Sequence, residues 1–510
     1  MRLCRAKMES STESVNSRMA TGAAWMVLLR IVDRAIGLIS TVVLARLLVP
    51  GDFGLIALAA SLIGMLEVLG AVGMDIALIQ RADARREHFD TAWTFHVLFG
   101  LVTAVLVACI AWPLASFYED PRLVSVMLML AAAHALQAFE NIGVVAFRKE
   151  LEFDREFKYR VTRRVVTTFL VTLPLAFALG NYWALLIGSL VSSCIAVALS
   201  YLLHPYRPRI SLVAFGELMA FSKWFLLTSI VEFLYGRMAG LIIGKWSGPA
   251  GVGAYSLAAD VAVMATQEIS APVQRAVFPG YAKLANDRSQ LRRVFLKVTA
   301  VLLLLVLPGG MGISLLAEPI VLVLLGAKWN EAVPLVRVLG INGILTVLLS
   351  SAHYVNLAVG MARSSSLVLA AHSAITIPLM LWSVPHHGAQ GAVVSMLVAS
   401  ILTAPFNFYL VGKAIEFGWR DLKSVLWRPV TGGIVMSGVV LMLQNRWPLP
   451  VGTAAQLAYA VIAAAVGACV YCTTVVLLWR LRRDPESAEA WVLERVSGLA
   501  GMACARLGVK

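Results

Sequence analysis

The 510-residue sequence contains few charged residues: Asp, Glu, Lys and Arg make up 14% of it, against about 25% in a soluble globular protein. It also lacks any hydrophilic stretch long enough to fold as a soluble domain. Hydrophobic residues make up 59% of the chain, and its mean hydropathy is +0.80. These values argue against a soluble core and indicate a protein whose solvent is the lipid bilayer.

Cysteine is scarce too, with six residues scattered along the chain, which argues against a disulfide or zinc scaffold. The first twenty residues lack the apolar segment of a cleaved secretory signal, so we expect them to stay in the cytoplasm. The net charge of +14 does not indicate nucleic-acid binding, because most Lys and Arg residues lie in short segments between apolar runs. We expect neither a metal nor a cofactor.

The dominant pattern is a series of apolar runs, each long enough to cross a bilayer as a helix of about 20 residues. Lys and Arg concentrate in alternate gaps between these runs, which predicts that both termini are cytoplasmic. We therefore predict an all-α polytopic membrane protein with about fourteen transmembrane helices. The predicted spans are 22–48, 54–80, 92–117, 122–147, 161–180, 182–203, 217–245, 252–278, 296–325, 332–360, 365–384, 388–412, 426–444 and 453–479.

The chain contains an internal repeat: residues 21–60 align with residues 220–259 without a gap. The matched pairs include Trp25 with Trp224, Pro50 with Pro249, and Gly54 with Gly253. Six spans, an even number, separate the two copies, so both copies enter the membrane from the same side. We predict two parallel six-helix repeats related by a pseudo-two-fold axis along the membrane normal, followed by two further helices.

Transporters built from such repeats bind their substrate near the membrane midplane and work by alternating access. This repeat divides the chain into five predicted segments. The segments are a cytoplasmic N-terminal segment (1–20), a first six-helix lobe (21–205), a second six-helix lobe (206–412), helices 13 and 14 (413–480) and a cytoplasmic tail (481–510).

Charged residues inside spans point to a substrate site, because each costs at least ~2.5 kcal/mol on membrane-insertion scales. Arg30, Asp33, Arg34 and Gly37 share one helical face by their spacing. Arginine matches phosphate oxygens with two donors, so this face is a candidate binding site for a phosphate-bearing headgroup. The alternative is a structural role, in which Asp33 pairs with its neighbouring arginines inside the bundle.

Further candidate residues follow in the other spans. Repeat-interface or packing roles are the alternative for the acidic residues among them, and we favour a core structural role for His134. The additional cavity candidates are Glu232, Arg237 and Arg275, and the candidate carriers of a coupling ion are Glu67, Asp75 and Asp260.

Short motifs carry a family resemblance. They are Gly22-Ala-Ala-Trp25, Leu44-Ala-Arg46-Leu-Leu-Val-Pro50, Asp52-Phe-Gly54, Ala77-Leu-Ile-Gln80-Arg81 and Gly326-Ala-Lys328-Trp329. Over residues 20–480 the chain resembles the polysaccharide-transporter branch of the multidrug/oligosaccharidyl-lipid/polysaccharide exporter superfamily. Within that branch it is similar to the Wzx-type flippases of lipopolysaccharide and exopolysaccharide biosynthesis.

The resemblance implies a non-enzymatic flippase of a bacterial inner membrane. Its substrate would be an undecaprenyl-diphosphate-linked oligosaccharide, moved to the periplasmic leaflet, and its surroundings would include membrane lipids and a polysaccharide polymerase. The resemblance also implies a two-lobe fold with a cationic cavity, in agreement with the Arg30 and Arg34 face.

Two other functions stay open from the sequence alone. A drug or small-cation exporter of the same superfamily should have an acidic or aromatic cavity. A membrane saccharide polymerase or ligase should have a large external loop to hold sugars, whereas the predicted external gaps of this chain are short.

Overall fold

The computed structural model describes the backbone of residues 2–70, 74, 78–79, 83–150, 152–482 and 488–490. Side chains are described for the same residues except 2–21, 23, 69–70, 218–228, 231–232, 234–235, 362–363 and 482. The chain forms two compact units, Met1–Gly253 and Ala254–Lys510, and each is considered by itself.

The first half of the chain is built from helices joined by short connections. A π-helical segment, Val166–Thr172, lies between two of them. The helices are α1 (Arg2–Leu47), α2 (Pro50–Gly70), α3 (Arg86–Tyr118), α4 (Arg122–Gln137), α5 (Val144–Lys149), α6 (Phe153–Val165), α7 (Leu173–Leu179), α8 (Trp183–Leu203) and α9 (Phe215–Met264).

The second half is also helical, with one 3₁₀ turn at Ala327–Trp329. Its helices are α10 (Gln267–Lys283), α11 (Arg288–Leu315), α12 (Ala317–Leu324), α13 (Ala332–Ala358), α14 (Ala362–Ile415), α15 (Trp419–Arg446) and α16 (Thr453–Arg482). No β-strand occurs anywhere in the described backbone.

These helices confirm the predicted all-α membrane fold. Nine stretches of the described residues are long and apolar enough to cross a membrane. Two very long helices are broken near gaps between predicted spans, α9 at Gly248 (φ 65°) and α14 at Gly388 (φ 56°). The left-handed φ at these breaks suits glycine, which lacks a Cβ atom. Each of the fourteen predicted spans falls mainly on described helix.

The segments Pro50–Gly54 and Pro249–Gly253 lie largely in the turns that the predicted spans 22–48, 54–80, 217–245 and 252–278 leave between them. In the structure α2 already begins at Pro50, and residues 249–253 are helical. Proline favours the first turn of a helix because its fixed φ suits the helix and its missing N–H has no partner there anyway. The turns are therefore shorter than expected.

Gly54 and Gly253 are the repeat-related glycines of these segments. Within the first unit, each of them packs against the backbone of the other segment. A Cβ atom at Gly54 would collide with the carbonyl group of Pro249 and lie 2.7 Å from the Gly253 nitrogen. A Cβ atom at Gly253 would collide with the Pro50 carbonyl in the same way. Glycine is required at both positions by this close approach of two backbones.

The core of the second unit includes the two helices that lie beyond the repeat. Val306 of α11 and Val347 of α13 are buried in one cluster with Met436 of α15 and Val475 of α16. Close packing of these apolar side chains against one another stabilises the cluster. Helices 13 and 14 of the sequence prediction are thus integral to this unit.

A short helical stretch of the C-terminal segment also docks on the second unit. Glu489 is buried and its Oε2 atom lies 3.1 Å from Nη1 of Arg428, which is buried on α15. Because a buried ion needs a partner of opposite charge, each side chain fixes the position of the other. The rest of the tail, 491–510, lies outside the described residues.

Candidate functional site

The polar face predicted on the first span lies on α1, as its spacing requires. Arg30 is exposed, and Asp33, Arg34 and Gly37 are half-buried. Arg30 and Arg34 both have polar or electrostatic partners, so structural pairing accounts for part of their role. The structure therefore places the predicted residues on one face without deciding between pairing and substrate contact.

Helix α6 packs along α1 and adds a third arginine to this face. The rings of Trp25 and Phe157 are 4.9 Å apart, and the ring of Phe153 fills the space that a Cβ atom at Gly22 would need. Farther along, a Cβ atom at Gly37 would lie 3.6 Å from Nη2 of Arg164. The guanidinium group of Arg164 therefore borders α1 at Gly37, at a distance that a Cβ atom would also tolerate.

The environment of Arg164 leaves its guanidinium group open to water or to an anionic ligand. Its side chain is exposed, within a stretch, Phe153–Leu179, that is long and apolar enough to span the membrane. No ion-pair partner occurs for it in the described part of the chain. A guanidinium at membrane depth has to meet water, a carboxylate or a ligand anion, because lipid tails provide no acceptor.

The neighbouring residues of α6 hold the helix in place by hydrogen bonds to two other elements. The Tyr159 hydroxyl donates to Oε1 of Glu140 at 2.6 Å. Nε of Arg163 donates to Oγ of Ser192 on α8 at 3.2 Å. A π-helical segment follows α6, and such segments are frequent at functional sites. These contacts fix the orientation from which Arg164 projects.

The remaining cavity candidates lie on later helices. Arg237 is exposed on α9, whereas the side chain of Glu232 lies outside the described residues. In the second unit Arg275 is exposed on α10 and donates from Nε to the carbonyl of Ala271, one turn earlier, at 3.2 Å. Their roles in a substrate site stay predictions.

The three candidate ion carriers have different surroundings. Glu67 of α2 lies 2.9 Å from Nδ1 of His134 on α4. Asp260 is exposed on α9 and has an interaction partner. Asp75 lies outside the described residues. Glu67 is therefore the candidate for which the structure supplies a specific partner.

Two candidate residues gain their place in a site only from the structure. Arg164 stands at the start of the predicted span 161–180, next to the charged residues of the preceding connection, so its sequence context does not single it out. His134 is the only charged or titratable residue on its own helix apart from Arg122, so nothing near it in sequence points to Glu67. One signal in the sequence could have identified Arg164. It is the unusual density of basic residues at the start of a span, namely Arg160, Arg163 and Arg164.

Comparison with known proteins gives consistent matches. The sequence profile of the family described as "Polysaccharide biosynthesis protein" matches residues 43–334. The lipopolysaccharide biosynthesis protein WzxC of Escherichia coli (strain K12) is 24% identical over 425 residues, which cover 82% of this chain and 85% of that protein. The succinoglycan biosynthesis transport protein ExoT of Rhizobium meliloti (strain 1021) is 24% identical over 490 residues, covering 94% of this chain and 97% of ExoT.

Among solved structures, the chain is similar to the lipid II flippase MurJ in an inward closed conformation. The TM-score is 0.72 at 14% sequence identity, and the match covers 90% of this chain and 100% of that one. At this level of identity the likeness establishes a shared fold.

Proposed function

Because the chain belongs to the family of polysaccharide biosynthesis proteins, we propose that it is a membrane transporter that translocates lipid-linked oligosaccharides. The family match confirms the resemblance drawn from the sequence motifs. Relatives named as biosynthesis transport proteins, such as ExoT, support transport rather than an enzymatic reaction on the saccharide. The shared fold with a lipid II flippase supports a lipid-linked substrate.

The observation that carries this proposal is the group of arginines on two packed helices, Arg30 and Arg34 of α1 with Arg164 of α6. Guanidinium groups bind phosphate oxygens through two parallel hydrogen bonds, and a diphosphate offers enough oxygens for more than one arginine. In this proposal the arginines hold the diphosphate that links lipid and sugar. Arg237 in the first unit and Arg275 in the second are separate candidates for contact with an anionic substrate.

The finer points of the proposal follow from the resemblance and from the charge distribution. The substrate would carry an undecaprenyl diphosphate and move from the cytoplasmic to the periplasmic leaflet of a bacterial inner membrane by alternating access. Both termini would be cytoplasmic, because Lys and Arg concentrate in alternate connections between the spans. A polysaccharide polymerase would take up the delivered units.

The charge of the α1 and α6 face argues against the runner-up, an exporter of drugs or small cations. A cationic ligand would be repelled by the three guanidinium groups, whereas an anionic one is attracted. Asp33 is the acidic residue on the same face of α1. We therefore keep the anionic lipid-linked substrate as the proposed ligand.

The test is export of a lipid-linked oligosaccharide by purified protein in liposomes, with polymer export in cells as a second readout. We expect Arg34→Ala and Arg164→Ala each to lower export about 10- to 100-fold, since hydrogen bonds to charged groups contribute about 1.5–3 kcal/mol. Replacement by Lys should restore export only in part, because an ammonium group lacks the planar fork.

A matched control is Arg155→Ala, on the same helix α6, because Arg155 pairs with Glu152 at 2.9 Å and is exposed at the other end. It should export normally. If the arginines serve only to pair with Asp33, the neutral double variant Asp33→Asn with Arg34→Gln will regain wild-type export. Wild-type export by an Arg30→Ala and Arg34→Ala double variant would end the proposal.

A further inference from the structure

Glu67 and His134 form an acid–base pair in ion-pair contact on two apolar helices of the first unit. The Oε1 atom of Glu67 lies 2.9 Å from Nδ1 of His134. Glu67 belongs to the candidate span Pro50–Val68, and His134 to the apolar helix Arg122–Gln137. Ionisable residues at membrane depth are costly, so a pair of them in contact calls for an explanation beyond packing.

Helix geometry places the two residues in the same half of the apolar layer. Glu67 lies seventeen residues after Pro50 and His134 twelve after Arg122, so the rise of 1.5 Å per residue puts them about 25 and 18 Å from the starts of their helices. Both helices begin at the same predicted side of the membrane. The pair therefore lies well inside the apolar layer, toward its predicted cytoplasmic half.

The two members of the pair have unequal surroundings. The imidazole is three-quarters buried, and its other nitrogen, Nε2, is buried without a hydrogen-bond partner among the described residues. The Glu67 side chain, by contrast, is 47% exposed. Ionisable side chains at membrane depth almost always face the bundle interior or a water-filled cavity, so we infer that water reaches the open side of Glu67. The pair has one buried end and one end open to proton exchange.

The helices packed against the pair provide few other charges at its level. Helix α8 has no acidic or basic residue. Beyond its first turns, helix α3 has one titratable side chain of this kind, His96. On α9, whose Phe233 ring lies beside Gly64, Arg237 is the described charged residue of this stretch, and the Glu232 side chain is not described. The charged residues in the first turns of α3 are Arg86, Glu87, His88 and Asp90.

The charge of the pair depends on how many protons it binds. With a neutral imidazole and an ionised Glu67, the pair carries one negative charge. One further proton makes the pair neutral overall, either as two neutral groups or as an imidazolium beside a carboxylate. Burial disfavours a net charge, so a conformation that withdraws water from Glu67 favours the neutral form, and a hydrated one favours release of the proton.

From this geometry we propose that Glu67 and His134 together bind and release one proton in each transport cycle. The pair thereby couples translocation to a pH gradient. This inference rests on the proposed transport function and names the residues that couple it. Histidine suits the role because it is the side chain that ordinarily changes charge near neutral pH.

The first arm of the test uses purified protein in liposomes loaded with a lipid-linked oligosaccharide. The measurement is the rate of translocation with and without an imposed pH gradient, for wild type, Glu67→Gln and His134→Gln. Gln at position 67 keeps a hydrogen-bonding group of the same size but cannot take up a proton. The matched control is His372→Gln, because His372 is buried in α14 and pairs with the neutral hydroxyl of Thr403 at 3.2 Å.

The second arm needs no transport. Infrared spectra of the full-length protein are recorded across a pH titration, and the carboxylic acid signal of wild type is compared with that of Glu67→Gln and of His134→Gln. We expect a protonated carboxyl signal that disappears in Glu67→Gln and shifts its titration in His134→Gln, with no change in His372→Gln.

The proposal expects that the pH gradient accelerates wild type and His372→Gln, and that both pair variants lose this acceleration while retaining gradient-independent translocation. Full acceleration in Glu67→Gln overturns it, as does wild type that ignores the gradient. If wild type moves no lipid-linked oligosaccharide, the proposed function fails. The infrared arm then still decides the proton site, which is refuted if the titrating signal persists in Glu67→Gln.

Discussion

Replacement of Gly54 by Ala tests the close contact between the two repeat-related segments. The added Cβ atom would meet the carbonyl group of Pro249 and lie 2.7 Å from the nitrogen of Gly253. Both neighbours are backbone atoms of a helix, so they cannot move aside by a change of rotamer. One of the two helices has to shift.

The expected cost is that of overpacking, about 1–3 kcal/mol, and more if the helix cannot move. In a unit of 150–250 residues each kcal/mol lowers the melting temperature by about 2–4 °C. Gly253→Ala should cost a similar amount, because its Cβ atom would meet the Pro50 carbonyl in the reciprocal position. The matched control is Gly51→Ala, since nothing lies within 4 Å of its Cβ position.

The assay is thermal unfolding of the detergent-purified variants, with membrane abundance measured alongside. Gly51→Ala should be neutral or slightly stabilising, because alanine is favoured over glycine in a helix by about 1 kcal/mol. The contact argument is refuted if Gly54→Ala unfolds at the same temperature as Gly51→Ala. If Gly253→Ala alone is neutral, the predicted constraint of the Pro50 carbonyl on Gly253 is wrong.

Two further substitutions test local structure. Arg122 holds Asp120 through two side-chain hydrogen bonds of 3.0 and 2.7 Å, and this contact lowers the pKa of Asp120. The free energy that this contact adds to the folded state is present above the ordinary pKa of Asp and is lost as the pH falls below about 4. Asp120→Asn should therefore lower the free energy of unfolding by about 1 kcal/mol at pH 7. Thermal melts at several pH values should show less acid dependence for this variant than for wild type. Trp329 is fully buried, so Trp329→Ala should cost about 3–5 kcal/mol in thermal unfolding, and a loss below 1 kcal/mol would contradict its assignment to the core.

The membrane fold was predictable because its signal is local. An apolar run of about 20 residues specifies a spanning helix whatever it packs against, since every backbone polar group must be satisfied inside the helix. The breaks at Gly248 and Gly388 were predictable for the same reason, because the apolar runs are interrupted at those glycines. The predicted lobe boundary at residues 205 and 206 stays a prediction, whereas the compact units meet between Gly253 and Ala254.

The candidate site was predictable only in part. The spacing of Arg30, Asp33 and Arg34 placed them on one helical face, because a helix turns by a fixed angle per residue. Which of them contacts substrate stays a prediction. Spacing along one helix gives no information on the side chains that another helix brings to the same face, as α6 brings Arg164.

The sequence by itself determined which segments are apolar enough to cross the membrane, how they repeat along the chain, and which polar residues lie within them. Tertiary structure alone decided the partners: Arg164 beside Gly37, Glu67 with His134, and Arg428 with Glu489. These partners are far apart along the chain, and their meeting depends on how helices pack. Hydrophobicity and helical periodicity act within one segment, whereas a contact between two segments is fixed by the shape and charge of both.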